Sequence, residues 1–275
     1  MPTKSGILRG EQLRKHRCVR YLPQVFCLIF LPICLGADTS TGLAQLFAQQ
    51  VDRRLDVPAV EQNSYGDLLA TMFADKGISE AQYMVVVDRN DYVQAAMIYW
   101  MTPERMFKFI GASPVSTGKP GRFDYFTTPV GIFEHTTDNP DFRAEGTRNK
   151  HGVRGYGRKG LRVYDFGWQT ATRGWGSGGE STIRLQMHAT DPDLLEIRMG
   201  SAQSKGCIRI SATLNAFIDH YGILDADYEH AMSEGQTFWV LAKTRESTPF
   251  SGRFLVVIDT ERSERPEWSP GPLKQ

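Results

Sequence analysis

One cysteine and one histidine have the side chains and the spacing for nucleophilic chemistry. Cys207 lies in SAQSKGCIRIS, residues 201–211, where a Ser-Lys-Gly run leads into an Ile-Arg-Ile segment typical of a strand. A cysteine attacks as the thiolate, and with a free pKa of about 8.5 it needs a base nearby. His188 can be that base, because it lies on the polar face of the alternating segment TIRLQMHA, nineteen positions before Cys207. A turn and a return strand would bring the two side chains together.

Gly206, directly before the candidate nucleophile, predicts a close approach of a substrate to the backbone. Glycine adopts conformations that are closed to other residues, and it has no side chain that would block the approach. The amides of Gly206 and Cys207 are therefore candidate donors to the oxyanion that forms when a thiolate attacks a carbonyl.

Length and composition favour a globular protein. The 275 residues suit one large domain or two small ones, and 41% hydrophobic residues are enough for a packed core. The net charge of +1 does not suggest a nucleic-acid binder.

Residues 1–37 have the pattern of a secretory signal peptide. Six basic residues precede VFCLIFLPICLGA, which is short for a membrane span, since a span needs roughly 20 apolar residues. Cleavage near Gly36 or Ala37 would place the chain in the periplasm, and an uncleaved N-terminal anchor is the alternative. Cleavage would leave Cys207 as the only one of four cysteines, with 26 basic and 30 acidic residues and a net charge of −4.

Hydrophobic periodicity divides the rest of the chain into three parts. The pattern predicts a helical N-terminal arm at 38–80, a mainly β domain at 81–245, and an extra strand with a loose tail at 246–275. Residues 141–181 are rich in Gly, basic and aromatic residues and exceed an ordinary connection, which indicates a loop or lid. A decoration packed on the sheet explains the same composition equally well.

Shorter signals predict individual elements. A hairpin is expected around residues 88–91, and further strands are expected at 194–199 and 236–244. Ser211 is the expected N-cap of a helix that stops at Gly222.

Two segments resemble the catalytic signature of the L,D-transpeptidase (YkuD-like) family. The first is His188, fifteen intervening residues, and then Ser204-Lys205-Gly206-Cys207-Ile208-Arg209. The family has a histidine, about fifteen residues, Ser/Thr-His-Gly-Cys, an apolar residue and Arg or Asn. The second, upstream, is Ser116 to Lys119 with Thr128 to Phe133, which resembles the family's STGK…TPxGxF. The resemblance covers roughly residues 82–245.

Two positions depart from the family pattern. Lys205 stands where the family often has histidine, and Ala189 follows the motif histidine where glycine is frequent. His188 is then the only motif histidine available as a base.

The resemblance implies a mainly β, β-sandwich-like catalytic domain with a few helices and a peptidoglycan L,D-transpeptidase activity in cell-wall cross-linking and cell shape. Cys207 would attack the L-centre carbonyl of a diamino acid in a donor stem peptide, and an amine of a second stem would resolve the thioester. His188 would act as base and then acid, held by the backbone carbonyl of Ala189, and Gly206 would offer an oxyanion amide. No metal or organic cofactor is implied, and a carbapenem is expected to acylate Cys207.

Five further residues are candidate substrate contacts. Arg209 would brace the site or meet a stem carboxylate, and Ser204 would support the loop or bond to substrate. Lys205 would disfavour an approaching ammonium. Trp168 and Trp175 could stack on sugar rings or pack against the sheet.

Other functions fit these residues less well or differ in a single step. A murein peptidase or amidase would use the same thioester with water as acceptor, and a peptidoglycan-binding protein would carry an inactive site. A papain-like peptidase has its nucleophile before its histidine, the reverse of this order. A zinc site lacks ligands, and STGKPG is not a phosphate loop because Pro120 follows its lysine. The remaining histidines, among them His135, are expected at the surface or in loops.

Overall fold

The computed structural model describes residues 39–273, which form two mixed β-sheets and four α-helices and confirm the predicted mainly β fold class. The strands are β1 (Gln82–Asp88), β2 (Ala95–Met101), β3 (Phe107–Pro114), β4 (Gly131–Glu134), β5 (Phe142–Arg143), β6 (Arg162–Thr172), β7 (Glu180–Ala189), β8 (Ile208–Ile210) and β9 (Phe254–Ile258). The helices are α1 (Thr39–Gln50), α2 (Ala59–Asp75), α3 (Ala212–His220) and α4 (Ala226–Ser233). The predicted signal peptide, residues 1–37, lies outside the described residues. Within the described range, no helix is both long and apolar enough to span a membrane.

The two sheets pack through one apolar core. The first sheet has the order β3-β2-β1-β9-β4, and the second has the order β5-β6-β7-β8. Val85 and Ile98 of the first sheet belong to the same buried cluster as Leu185 and Ile208 of the second. Because side chains alternate along β7, placing Leu185 in this core leaves His188 on the opposite face of its sheet.

Both N-terminal helices pack on the first sheet. Leu69 and Phe73 of α2 join a second buried cluster with Met84 of β1, so β1 is buried along its whole length. Phe47 of α1 enters the core between the sheets, where its ring centroid lies 5.3 Å from that of Phe217 in α3.

Residues 141–181 are not the continuous loop or lid that the sequence predicts. They contain β5 and the eleven residues of β6, which pair with β7. The register shifts between Asp165 and Trp168, and Gly167 has a φ of +73° there. The glycine that suggests a loop therefore serves a bulge within a strand. Two stretches of the segment, residues 144–161 and 173–179, lack regular structure.

The extra strand predicted in the C-terminal part is confirmed as β9, but the residues after it are not a loose tail. β9 lies inside the first sheet, parallel to β1 and antiparallel to β4. Beyond it, Trp268 is buried against α2 and β1, and the hydroxyl of Ser269 donates to the carbonyl of Val93. The predicted boundary at 245 therefore cuts through a folded unit.

Of the predictions for individual elements, some are confirmed and others are wrong. The hairpin around 88–91 is confirmed as β1 and β2, and Ser211 caps α3 by accepting the amide of Leu214 at 3.1 Å. The strands predicted at 194–199 and 236–244 are wrong. The first contains a 3-10 helix, and the second is a series of turns that exposes Trp239.

Candidate active site

The two motif segments, far apart in sequence, lie side by side. Isolated bridges pair Ser116 with Arg209 and Gly118 with Ser204. The amide of Lys119 donates to the carbonyl of Ser204 at 3.0 Å. The backbone of the upstream segment therefore supports the loop that carries Cys207.

Thr128 joins the two segments a second time. Its buried hydroxyl accepts the amide of Gly118 at 2.8 Å and donates to the carbonyl of Gly206 at 2.7 Å. A Cβ added to Gly118 would lie 2.1 Å from the carbonyl oxygen of Phe126 and 3.0 Å from Cα of Gly206. The close approach of the two backbones therefore requires glycine at position 118.

Parallel pairing of β7 and β8 brings His188 and Cys207 into one site. His188 lies opposite Arg209, and Cys207 immediately precedes β8. The predicted return strand is therefore wrong in direction: a crossover of residues 190–207 carries the chain back before β8 begins. A parallel pair needs such a crossover, whereas a tight turn makes an antiparallel one.

The imidazole of His188 is fixed by its neighbour. Nδ1 contacts the carbonyl oxygen of Ala189 at 2.7 Å. Because a carbonyl only accepts, the proton lies on Nδ1 and Nε2 keeps its lone pair. Burial is the largest cause that lowers the pKa of His188 to about 4, and the charge of Arg209 adds to it. The imidazole is therefore uncharged at neutral pH.

The thiol of Cys207 is also uncharged. Burial raises its pKa, although a hydrogen bond from the amide of Gln186 and the charge of Arg209 act in the opposite direction. Within the described residues, Sγ contacts the carbonyl oxygen of Arg184 at 3.9 Å, and no hydrogen bond joins it to His188. The thiol must turn from Arg184 before its proton can pass to the imidazole.

The prediction that Gly206 offers a free oxyanion amide is wrong for this conformation. Its N–H donates to the hydroxyl of Ser204 at 3.0 Å, and that hydroxyl donates to the carbonyl of Cys207. Ser204 thus supports the loop, one of its two predicted roles. Of the two amides considered, only that of Cys207 donates to no other group within residues 39–273.

The remaining predicted contacts lie around this centre. The ammonium of Lys205 pairs with Asp124 at 2.6 Å, and Arg209 lies close enough to Cys207 and His188 to affect the pKa of both. The two tryptophans have different surroundings. Trp168 is 65% exposed beside Arg184, whereas Trp175 packs on Phe126 at 4.9 Å between ring centroids. Packing therefore accounts for Trp175 but not for Trp168.

Tyr156 is a site residue to which the sequence assigns no role. Its ring lies 4.7 Å from the imidazole of His188, and its hydroxyl lies 3.2 Å from Oε1 of Gln186. No spacing rule could find it, because it comes from the irregular segment 144–161. His135 lies in the loop after β4, one of its two expected locations, but it is fully buried, with Nε2 2.8 Å from Asp141.

No family model and no curated protein matches the chain. Among solved structures, it is similar to the helical cell shape determining protein Pgp2 from Campylobacter jejuni, in crystal structures of the protein and of a point mutant. Both alignments have 16% identity and a TM-score of 0.27. The alignment with the point mutant covers 78% of this chain and only 60% of the Pgp2 chain, and the alignment with the unmutated protein covers 74% and only 58%. Similarity at this level supports no conclusion about the fold or function of this chain.

Proposed function

We propose that this chain is a cysteine-dependent peptidoglycan L,D-transpeptidase. One observation carries the proposal: two motifs that resemble this family, from distant parts of the sequence, meet at the backbone of Gly206 through Thr128. The same loop places Cys207 beside the strand that holds His188. A chance match in sequence gives no reason for the two segments to form one hydrogen-bonded unit.

The first half-reaction forms a thioester. Nε2 of His188 takes the proton of the Cys207 thiol, and Sγ attacks the L-centre carbonyl of the donor stem. The Cys207 amide donates to the oxyanion, and the nearby charge of Arg209 favours the thiolate. When the oxyanion collapses, the C–N bond to the D-residue breaks and the imidazolium returns its proton to the leaving amine.

The second half-reaction transfers the acyl group. An acceptor amine gives a proton to His188 and attacks the thioester carbonyl, and the C–S bond breaks. Sγ takes back the proton, so the enzyme ends as it began. Water as the acceptor would give a peptidase by the same steps.

Muropeptide mass spectrometry tests the transfer. Disaccharide-tetrapeptides would be incubated with the protein or with Cys207→Ala, which removes only the sulfur atom. New dimers that form only with the intact thiol are expected. Shortened monomers without dimers would indicate the hydrolase, and identical products from both proteins would contradict an enzymatic role and favour a binding protein.

Export is part of the same proposal. Peptidoglycan lies outside the cytoplasm, and residues 1–37 have the pattern that directs secretion. Fractionation of cells that produce the full chain should find it in the periplasm, and deletion of residues 1–37 should keep it in the cytoplasm.

A further inference from the structure

A cationic cavity of about 540 Å³ adjoins the candidate active site. Four of the residues that line it are basic: Lys119, Arg122, Arg198 and Arg209. None of its described lining residues is acidic. Within residues 39–273, no ion pair neutralises Lys119, Arg122 or Arg198, so the cavity concentrates positive charge.

Two buried polar atoms on the cavity wall have no partner. Thr190 is 1% exposed, and its hydroxyl makes no hydrogen bond within the described part of the chain. Nε of Arg209 is unpartnered in the same way. Leaving such groups unsatisfied is costly, so a ligand with acceptor atoms that reached them would be stabilised.

Two features place the cavity next to the reaction centre. Arg209 lines the cavity and lies near both Cys207 and His188. The irregular segment 144–161 contributes His151 to the cavity wall and places Tyr156 against His188. A ligand in the cavity could thus belong to the molecule that reacts at the thiol.

We propose that this cavity binds the free carboxylates of the donor peptide, and that the enzyme selects donors with at least two of them. The inference rests on the proposed function, because the donor's reacting carbonyl must lie at Cys207. Arginine recognises carboxylates through paired N–H donors, and the Thr190 hydroxyl adds another donor. Because the cavity has several cations without a counter-ion, it should bind a peptide with two or more carboxylates more tightly than a peptide with one. Donors with carboxamides in place of these carboxylates bind weakly.

Equilibrium binding to the full chain carrying Cys207→Ala tests the cavity without turnover. The two probes are a synthetic tetrapeptide donor with free carboxylates and the same peptide with carboxamides, each measured by calorimetry. The free acid should bind at least about tenfold more tightly, and salt should weaken only its binding. Equal affinities, or no binding of either peptide, would overturn the inference.

Added substitutions locate the effect. Lys119→Gln with Arg198→Gln should lower the affinity for the free acid at least about fivefold and leave the carboxamide unchanged. Thr190→Val should act in the same direction. Lys76→Gln removes an exposed cation at the end of α2, outside the cavity lining, and should change neither affinity. If Lys76→Gln lowered the affinity for the free acid equally, the effect would be due to net charge alone, and the proposal would be contradicted.

Acylation of the wild-type thiol separates this inference from the proposed function. If both donors acylate Cys207 equally and bind equally, the carboxylate subsite fails and the transpeptidase chemistry stands. If the free acid binds selectively and neither donor acylates Cys207, the cavity stands as a peptide-binding site and the proposed function fails.

Discussion

Burial holds the two candidate reactive groups in their uncharged forms. It raises the pKa of the Cys207 thiol and lowers that of the His188 imidazole to about 4. A preformed thiolate–imidazolium pair would need shifts in the opposite directions. The proton is therefore expected to move only when a substrate is bound.

Alkylation of Cys207 by iodoacetamide should reveal this resting state. The rate should rise continuously with pH through the ordinary cysteine range, because the raised pKa delays thiolate formation. Intact mass measured against time at each pH gives the rate, with Cys207→Ala as the blank. A fast plateau between about pH 5 and 7 would instead indicate an ion pair.

Thr128 should matter to both folding and activity. Thr128→Val removes two buried hydrogen bonds and leaves the Gly118 amide and the Gly206 carbonyl unsatisfied, which costs about 1–3 kcal/mol for each group. Acylation of Cys207 should slow because its loop loses support. Thr128→Ser keeps the hydroxyl and should restore most of both. Urea unfolding and acylation rates measure the two effects, and wild-type acylation by Thr128→Val would contradict the assigned role.

At the residue level, a short motif specifies some contacts and not others. The sequence resemblance leads to Cys207, His188 and the Ala189 carbonyl, and that carbonyl does hold the imidazole. It misplaces the Gly206 amide, because the reach of the Ser204 hydroxyl depends on how the loop turns. The catalytic roles themselves stay predictions.

At the scale of elements, local periodicity predicts strands well where neighbours in sequence pair in space. The hairpin of β1 and β2 is such a case. The parallel pair of β1 and β9 joins the first and the last strand of the described chain, so no local pattern indicates this pairing. The same distance explains why the C-terminal part is mistaken for a tail.

Trp268 tests whether that C-terminal part belongs to the fold. Its side chain is 8% exposed in the cluster with α2, so Trp268→Ala should cost about 3–5 kcal/mol in the free energy of unfolding. Leu273 is 58% exposed, and Leu273→Ala should change stability by less than about 0.5 kcal/mol. Urea titrations would give both values. Equal, small effects would mean that the tail is loose after all.

Across the whole molecule, a buried charge network ties the second sheet to the helices beside it. The guanidinium of Arg162 on β6 contacts Asp141, Asp219 of α3 and Asp225 at the start of α4. Burial alone would raise the pKa of Asp141, but His135 and Arg162 outweigh it and hold that pKa below its ordinary value. Ionised Asp141 therefore stabilises the folded protein fully above its unfolded-state pKa of about 3.9. This stabilisation is lost as the pH falls through the lower pKa of Asp141 in the folded state.

Arg162→Met should therefore destabilise the protein in a pH-dependent way. Removing the guanidinium leaves Asp141 paired only with His135 and Asp225 paired only with Arg245, among the described residues. This weaker compensation of two buried carboxylates should cost about 3–5 kcal/mol at neutral pH. The cost should be smaller near pH 4, where Asp141 of the variant, no longer held at a low pKa by Arg162, can take up a proton. Urea unfolding at both pH values measures this, with the exposed Arg105→Met as control. A cost independent of pH would assign the effect to packing alone.

The central claim is that Cys207 becomes acylated by a peptide donor. Intact mass spectrometry of the protein mixed with a tetrapeptide stem tests it most directly. The account predicts an adduct on Cys207 whose mass is that of the donor without its D-residue. The adduct should be lost on addition of an acceptor amine and should be absent from Cys207→Ala. A carbapenem should give an adduct at the same sulfur. A wild-type protein that stays at its unmodified mass with both reagents would contradict the account.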